Sequence, residues 1–497
     1  VIQDVLVLGG GSAGFIAAIT LKARIPALRV RVLRSKEIGV IGVGEATTVG
    51  VPLHLHEYLK VDLPEFFRVV QPVWKLAIRF LWGTRPYFDY TFAHQLHMRY
   101  LAVPKYVGFY CADEYGDHGM QTALMSRGKA FPIAKNGLPY VGKQFGYHLE
   151  NESFVQYLEM LALRLGVVIE ETTVVDVAQN EQGISSLRAD DGRTYTADLY
   201  LDSSGFRSVL LGKALAEPYI SFSPSLYCDR AVTGAWPRAA AEAIQPYTVA
   251  ETMDHGWCWQ IDHPHAIHRG YVYSSAFVSD ADAEKEFRLK NPRVTEVRQV
   301  RYRSGRYARA WVKNVVAIGN SGGFVEPLES TGLAAICSSM QNLAEMLADC
   351  DLQPPSTLIR LFNDRAAAGW DSIRRFLATH YKFNRRLDTP FWRECREKAD
   401  LAGAEHIVEF YRENGPTPIG FPTLVDRADQ FGAEGWLSML LGMQVPFTPR
   451  HVICDGEWRK WREIQAHIAH IASAGISAED MLERLHSQGF EGVEYFK

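Results

Sequence analysis

The chain has 497 residues, 47% of them hydrophobic and 22% charged, with a formal net charge of −4. That size and apolar content can bury a large core and allow two to four domains, and mixed charges near neutrality argue against nucleic acid or an anionic membrane as the main partner. Seven cysteines without a C-x-x-C pair disfavour a disulfide framework and a zinc site, and no apolar run reaches the roughly 18 residues of a membrane span. With no signal peptide ahead of the first strand, the expectation is a soluble cytoplasmic protein.

Val5-Leu6-Val7-Leu8 reads as a buried parallel strand that runs into Gly9, Gly11, Ser12, Ala13 and Gly14 and then an Ala-rich helix. In this G-x-G-x-x-G spacing the first glycine makes the tight turn, the second lets a pyrophosphate approach the backbone, and the third packs helix on strand. The N–H groups of the new helix then hold the phosphates. A glycine turn without a ligand is the plain alternative; the aliphatic strand before it and the helix after it favour dinucleotide binding. The acidic residue that ordinarily binds the ribose is not at the end of the second strand, which runs into Arg34-Ser35-Lys36-Glu37. Either Glu37 makes that contact from later in the chain, or Ser35 and Arg34 contact the ribose or a phosphate. A polar turn over 42–48, with Gly44, Glu45, Ala46 and Thr47, can wrap a cofactor or be an ordinary turn.

Residues 51–70 read as largely helical. Lys75 lies in a run of β-formers over 73–80, where a lysine between Trp74 and Leu76 is ordinarily a snorkelling surface residue. Residues 84–145, rich in aromatics, His, Pro and Gly, read as a substrate-side insertion. After a helix over 152–165 and hairpin-like segments, a hydrophobic strand ends in Asp202, followed by Ser203-Ser204-Gly205, a candidate second cofactor-facing turn. Strand patterning over 219–276 places Trp257, Trp259 and Ile261 on one strand face, either a pocket wall or core packing. The basic run 298–313 reads as a solvated face. A strand over 315–318 meets a third glycine turn at Gly319, and the chain continues through Glu329 to Thr331 and Gly332 at the start of a helix. Those last two can offer N–H groups to an anion, and Glu329 is either a capping carboxylate or a functional one. From 351 to 497 the pattern is mainly helical. There is no internal repeat, and the 16 histidines lack ligand spacing, so no metal is expected.

In chain order, the Gly9 to Gly14 loop, the 42–47 turn, Lys75 in its strand, 202–207, Trp257-Cys258-Trp259-Gln260-Ile261 and Phe324 to Gly332 resemble the flavin-dependent halogenases of the tryptophan-halogenase type. The resemblance runs from residue 2 to about residue 395. It implies an α/β Rossmann-like FAD-binding fold of the flavoprotein monooxygenase kind, with an added substrate-binding β-sheet and a C-terminal helical lobe. Residues 1–350 would form the FAD module with the interleaved sheet, and 351–497 the substrate lobe. It further implies that FADH2 and molecular oxygen form a flavin hydroperoxide, that chloride or bromide attacks it to give hypohalous acid, and that this species passes along a channel to an electron-rich aromatic, in first place an indole. By position Lys75 looks like the essential lysine that holds the oxidant, and Glu329 like its partner carboxylate. Thr331 and Gly332 look like the backbone halide site, and Trp257, Trp259 and Ile261 like the wall that separates substrate from flavin. Arg34, Gly44, Glu45, Ala46, Thr47, Asp202 and Gly319 complete the expected cofactor contacts. With no second dinucleotide fingerprint, a separate NADH-dependent flavin reductase is the implied partner, and a homodimer is compatible with the sequence.

Two departures stand out. The family's tryptophan motif continues Ile-Pro where this chain has Ile261-Asp262, and Arg34 occupies the place of the ribose acid. On the residues alone an aromatic monooxygenase and a non-catalytic flavin-binding relative stay open. Lys75 and Glu329, which a hydroxylase does not need, favour the halogenase. Free tryptophan, a smaller indole and a peptide-borne or carrier-borne indole are all compatible substrates.

Overall fold

The computed structural model describes residues 1–35, 44–93, 118–239, 241–416, 424–425, 429–449 and 453–495. Glu37 and much of the 84–145 insertion lie outside the described residues. Two compact units are each assembled from three segments: Val1–Gln71, Leu149–Ser223 and Tyr302–Asp371 in the first, Pro72–His148, Pro224–Arg301 and Ser372–Lys497 in the second. This divides the chain otherwise than a cut at residue 350, because the strand-rich middle and the helices after residue 372 fall in one unit.

In the first unit Val5, Leu6 and Val7 are completely buried, as a strand covered on both faces requires. Their strand, Asp4–Leu8, lies between Arg29–Arg34 and Leu199–Asp202 in a six-stranded sheet. Val168–Glu171 extends the sheet on one side and Val315–Ala317 on the other. Every pairing is parallel except that of the edge strand Trp311–Val312. Helix Ser12–Arg24 buries residues 14–21 and packs against helices Asn151–Arg164 and Gly332–Asp349.

The helix expected over 51–70 is broken. A turn at Gly50–Pro52 and a wider π-type segment Leu53–Tyr58 end at Lys60, which takes a left-handed φ of 57°, and a new helix Leu63–Val70 begins. Asp62 starts it by accepting the Glu65 N–H at 2.8 Å, with Pro64 in the first turn, a start signal that the apolar periodicity obscures. Within that π-type segment His54 contacts Thr20 Oγ1 at 3.0 Å, and burial pushes its pKa down to about 4. The unfolded chain therefore binds a proton at His54 that the folded chain refuses. Stability is expected to be full above pH 6.5 and to fall by roughly 3 kcal/mol as pH drops toward 4 on this account; urea titrations at a series of pH values should show a shallower acid slope in His54→Gln.

In the second unit a seven-stranded sheet runs in the order Arg298–Arg301, Arg230–Pro237, Ala266–Tyr273, Gly256–Asp262, Tyr247–Met253, Ala77–Leu81 and Phe88–Thr91. The run 73–80, expected as one strand, is two. Val73–Lys75 pairs antiparallel with Gly146–Leu149, the Leu76 N–H turns to the Pro246 carbonyl at 2.8 Å, and Ala77–Leu81 continues in the larger sheet. Lys75 thus stands at the corner where the chain changes sheets. Helices Pro390–Lys398, Glu405–Asn414, Gly432–Gly442, Asp455–Ser473 and Ala478–Gln488 supply most of the rest, around buried Trp392, Trp436 and Trp461. Among the described residues no helix is long and apolar enough to cross a membrane.

Candidate active site

The three glycines of the first unit's loop serve two physical ends. Gly9 adopts φ +123°, and a Cβ there would lie 2.3 Å from the Ser203 carbonyl oxygen; a Cβ on Gly14 would lie 1.9 Å from the Gly9 oxygen. Both are packing requirements of the strand-turn-helix. A Cβ on Gly11, in contrast, would meet no protein atom within 4 Å. Gly11 is the N-cap of helix Ser12–Arg24, whose first turn has no acidic residue and no side-chain cap. Open space in front of uncapped N–H groups suits a phosphate, so these residues fit the dinucleotide. Ser12 Oγ donates to Asn151 Oδ1 at 3.3 Å, and Gly319 is where a Cβ would come within 3.1 Å of Ala13, so the third glycine turn abuts the first helix.

Arg34 ends its strand beside Gly10, whose added Cβ would lie 2.5 Å from the Arg34 Cβ. Its guanidinium pairs with Glu159 at 2.6 Å and Glu171 at 3.0 Å, while Ser35 shares a 2.8 Å hydrogen bond with Thr173. Asp202 is fully buried and its carboxylate serves the turn that follows it. One oxygen accepts from the Ser204 hydroxyl at 2.6 Å, the other from the Leu210 and Leu211 N–H groups at 2.7 and 2.9 Å. It shapes the Ser203 loop that closes on Gly9. Gly44 precedes the short strand Glu45–Ala46, Thr47 is buried, and burial pushes the Glu45 carboxyl up to about 7.

Glu329 closes a 3-10 turn, Pro327–Glu329, and is 1% exposed. Ser330 then turns through φ +56° into helix Gly332–Asp349, whose N-cap is Thr331. Thr331 makes no side-chain capping bond, and a Cβ on Gly332 would meet nothing within 4 Å. This second helix therefore also starts on an open glycine, as an anion site would need.

Within the second unit Lys75 is 0% exposed, which overturns the snorkelling alternative. Its Nζ lies 5.4 Å from the centre of the Phe92 ring. Its strand pairs Lys75 with Gly146, Trp74 with Tyr147 and Val73 with His148. Trp257, Trp259 and Ile261 fall on strand Gly256–Asp262, all buried, the two indoles 6.0 Å apart. Trp259 lies flat across Gly270 of the neighbouring strand, where a Cβ would come within 2.0 Å of the ring. A glycine inside a strand is the sequence signal for such close approach. His148, fully buried among these strands, has no local signal in the sequence.

A parallel sheet whose first strand runs through a tight glycine turn into an uncapped helix is the dinucleotide-binding arrangement of the α/β class. The tryptophan halogenase family model matches residues 4–455, and the chain belongs to this family of flavin-dependent halogenases. Tryptophan 7-halogenase KtzQ of Kutzneria sp. (strain 744) is 34% identical over 460 residues, covering 87% of this chain and 85% of that protein. The solved structure of MibH, a lathipeptide tryptophan 5-halogenase, superposes with a TM-score of 0.85 at 37% identity, covering 98% of this chain and 94% of that one. BrvH, a flavin-dependent halogenase from Brevundimonas sp. BAL3, gives 0.82 at 27% identity, covering 98% and 99%. The family, the fold and the enzyme class expected from the ordered motifs are thereby borne out.

Proposed function

We propose that this enzyme halogenates the indole ring of tryptophan, using FADH2 delivered by a separate NADH-dependent reductase, molecular oxygen, and chloride or bromide. The observation that carries the reading is a completely buried lysine, Lys75, at a strand corner beside an aromatic ring. A lysine held inside the fold at this corner keeps its Nζ out of bulk water, where it can donate a hydrogen bond to an electrophilic halogen species. Gly9, Gly11, Ser12, Ala13 and Gly14 would hold the pyrophosphate of FAD, and Thr331 and Gly332 the halide. When bound, reduced FAD supplies with oxygen the oxidising power that makes halide electrophilic. The Glu329 carboxylate takes the proton that the ring carbon loses when the carbon–halogen bond forms. The tryptophan pair and Ile261 exclude bulk water and shield the indole.

A peptide-borne tryptophan is favoured over the free amino acid by one observation: among solved structures the lathipeptide enzyme is 37% identical over 98% of this chain, against 26% over 97% for the tryptophan 6-halogenase SttH of Streptomyces toxytricini. The deciding experiment incubates the enzyme with a flavin reductase, FAD, NADH, oxygen and bromide or chloride, offering free tryptophan and a tryptophan-containing peptide in parallel. Mass spectrometry is expected to show the halogen isotope pattern, stronger on the peptide. An oxygenated product that forms without halide would replace this reading with the monooxygenase.

A further inference from the structure

The residue that departs from the family's motif, Asp262, is not a loose strand end. It is 1% exposed and extends its strand by one more pair, opposite Ile267. Its carboxylate lies 2.9 Å from the Arg238 guanidinium, an ionic contact rather than an aligned hydrogen bond, with both side chains at most 5% exposed. The same carboxylate accepts the Gln245 N–H and the Gln260 side-chain amide, each at 2.9 Å. Arg238 in turn donates to the His263 and Ala243 carbonyls at 2.9 Å. Charge is therefore matched across the pair, and hydrogen bonds hold both Asp262 oxygens and the Arg238 Nε and Nη1, which ties the pair to one geometry.

What this pair fixes is the Asp262 carbonyl, which accepts the Nδ1–H of His148 at 3.0 Å. Because a carbonyl can only accept, Nδ1 carries a proton; burial disfavours the charged ring, and in the neutral imidazole Nε2 accepts from the Thr248 hydroxyl at 2.9 Å. Both ring nitrogens are thus committed in a neutral imidazole. His148 stands opposite Val73 on the two-strand ladder whose other end is Lys75. The groups around it are the Lys75 ammonium, the Arg238 guanidinium, the Thr248 hydroxyl and the ring of His263, 6.3 Å away.

We propose that His148 is a positioning residue for halogenation: locked in its Nδ1–H tautomer by a carbonyl that the Arg238–Asp262 pair holds in place, it sets the strand that presents Lys75. This rests on the reading of Lys75 given above. The arrangement also keeps a second positive charge away from the lysine, since burial and the Lys75 charge together push the His148 pKa down to about 3.

The test uses the full-length enzyme with histidine-selective 15N labelling, His148 being assigned by its loss in His148→Asn. The wild type is expected to show His148 as a single neutral Nδ1–H species from pH 5 to 8. Asp262→Asn, which strands the Arg238 charge, is expected to introduce the second tautomer and to lower kcat about tenfold with KM within twofold. The charge-balanced Arg238→Gln/Asp262→Asn double variant is expected to regain most of that kcat and the single tautomer. His148→Asn, which retains a donor near the Nδ1 position, is expected to keep more activity than His148→Ala. An Asp262→Asn enzyme with an unchanged His148 spectrum and unchanged kcat overturns the proposal even if its Tm falls. Full halogenation by Lys75→Ala would instead overturn the reading of Lys75, leaving the His148 spectrum to be judged separately.

Discussion

Replacing Lys75 with alanine is expected to remove halogenated product while FAD still binds. Lys75 has no exposed surface, so its loss does not change how the protein meets solvent. What disappears is one charged donor inside a dry site, where a preorganised donor contributes far more than in water; about a 10²–10³-fold fall in kcat is the expected scale. Lys75→Met separates chemistry from packing, because it keeps the apolar stem and loses only the donor. Both variants should consume reduced flavin and oxygen without halogenating. The measurement is brominated product per reduced flavin oxidised, with flavin affinity taken from fluorescence quenching. A Lys75→Met enzyme that halogenates at the wild-type rate would take Lys75 out of the chemistry.

Gly11→Val is expected to produce the second large effect, this time on the cofactor. Since a Cβ at Gly11 meets no protein atom within 4 Å, the folded protein should accept the branched side chain within about 0.5 kcal/mol. The added methyls then occupy the space in front of the helix N-terminus, where a pyrophosphate must sit to use the N–H groups. FAD affinity should fall about 100-fold or more, close to 3 kcal/mol. Gly9→Val is the contrast: with φ +123° and the Ser203 oxygen 2.3 Å from the new Cβ, it should lose the fold before it loses the ligand. Urea unfolding and flavin titration of the two variants side by side distinguish a binding glycine from a folding one. Equal FAD affinity in Gly11→Val and wild type would remove the phosphate from this loop.

The motifs that identified the family were legible because each lies within one strand-turn-helix or one strand. In Gly9 to Gly14 the strand, the turn and the helix start are all encoded within a few residues, and Thr331 with Gly332 marks a helix start in the same way. Alternation likewise placed Trp257, Trp259 and Ile261 on one face of a single strand. Other features had no local signal. Nothing around Asp202 says that its carboxylate is taken up by the N–H groups of Leu210 and Leu211, because a strand ending in Asp and then Ser is equally suited to a ribose and to its own backbone. Apolar neighbours cannot show that Lys75 is buried, since the same pattern serves a half-exposed strand.

By itself the sequence determined the glycine strand-turn-helix, the order of the family motifs and which residue types stand in them, since these rest on spacing along the backbone. Only the tertiary structure decided that the run 73–80 changes sheets at Leu76, that Lys75 is sealed from solvent, and that His148 turns Nδ1 to the Asp262 carbonyl. Those properties belong to pairs of groups that the chain brings together from afar: His148 and the Asp262 carbonyl are 114 residues apart. Burial, tautomer and charge compensation are energies of contact, and a contact of that length leaves no periodicity to read.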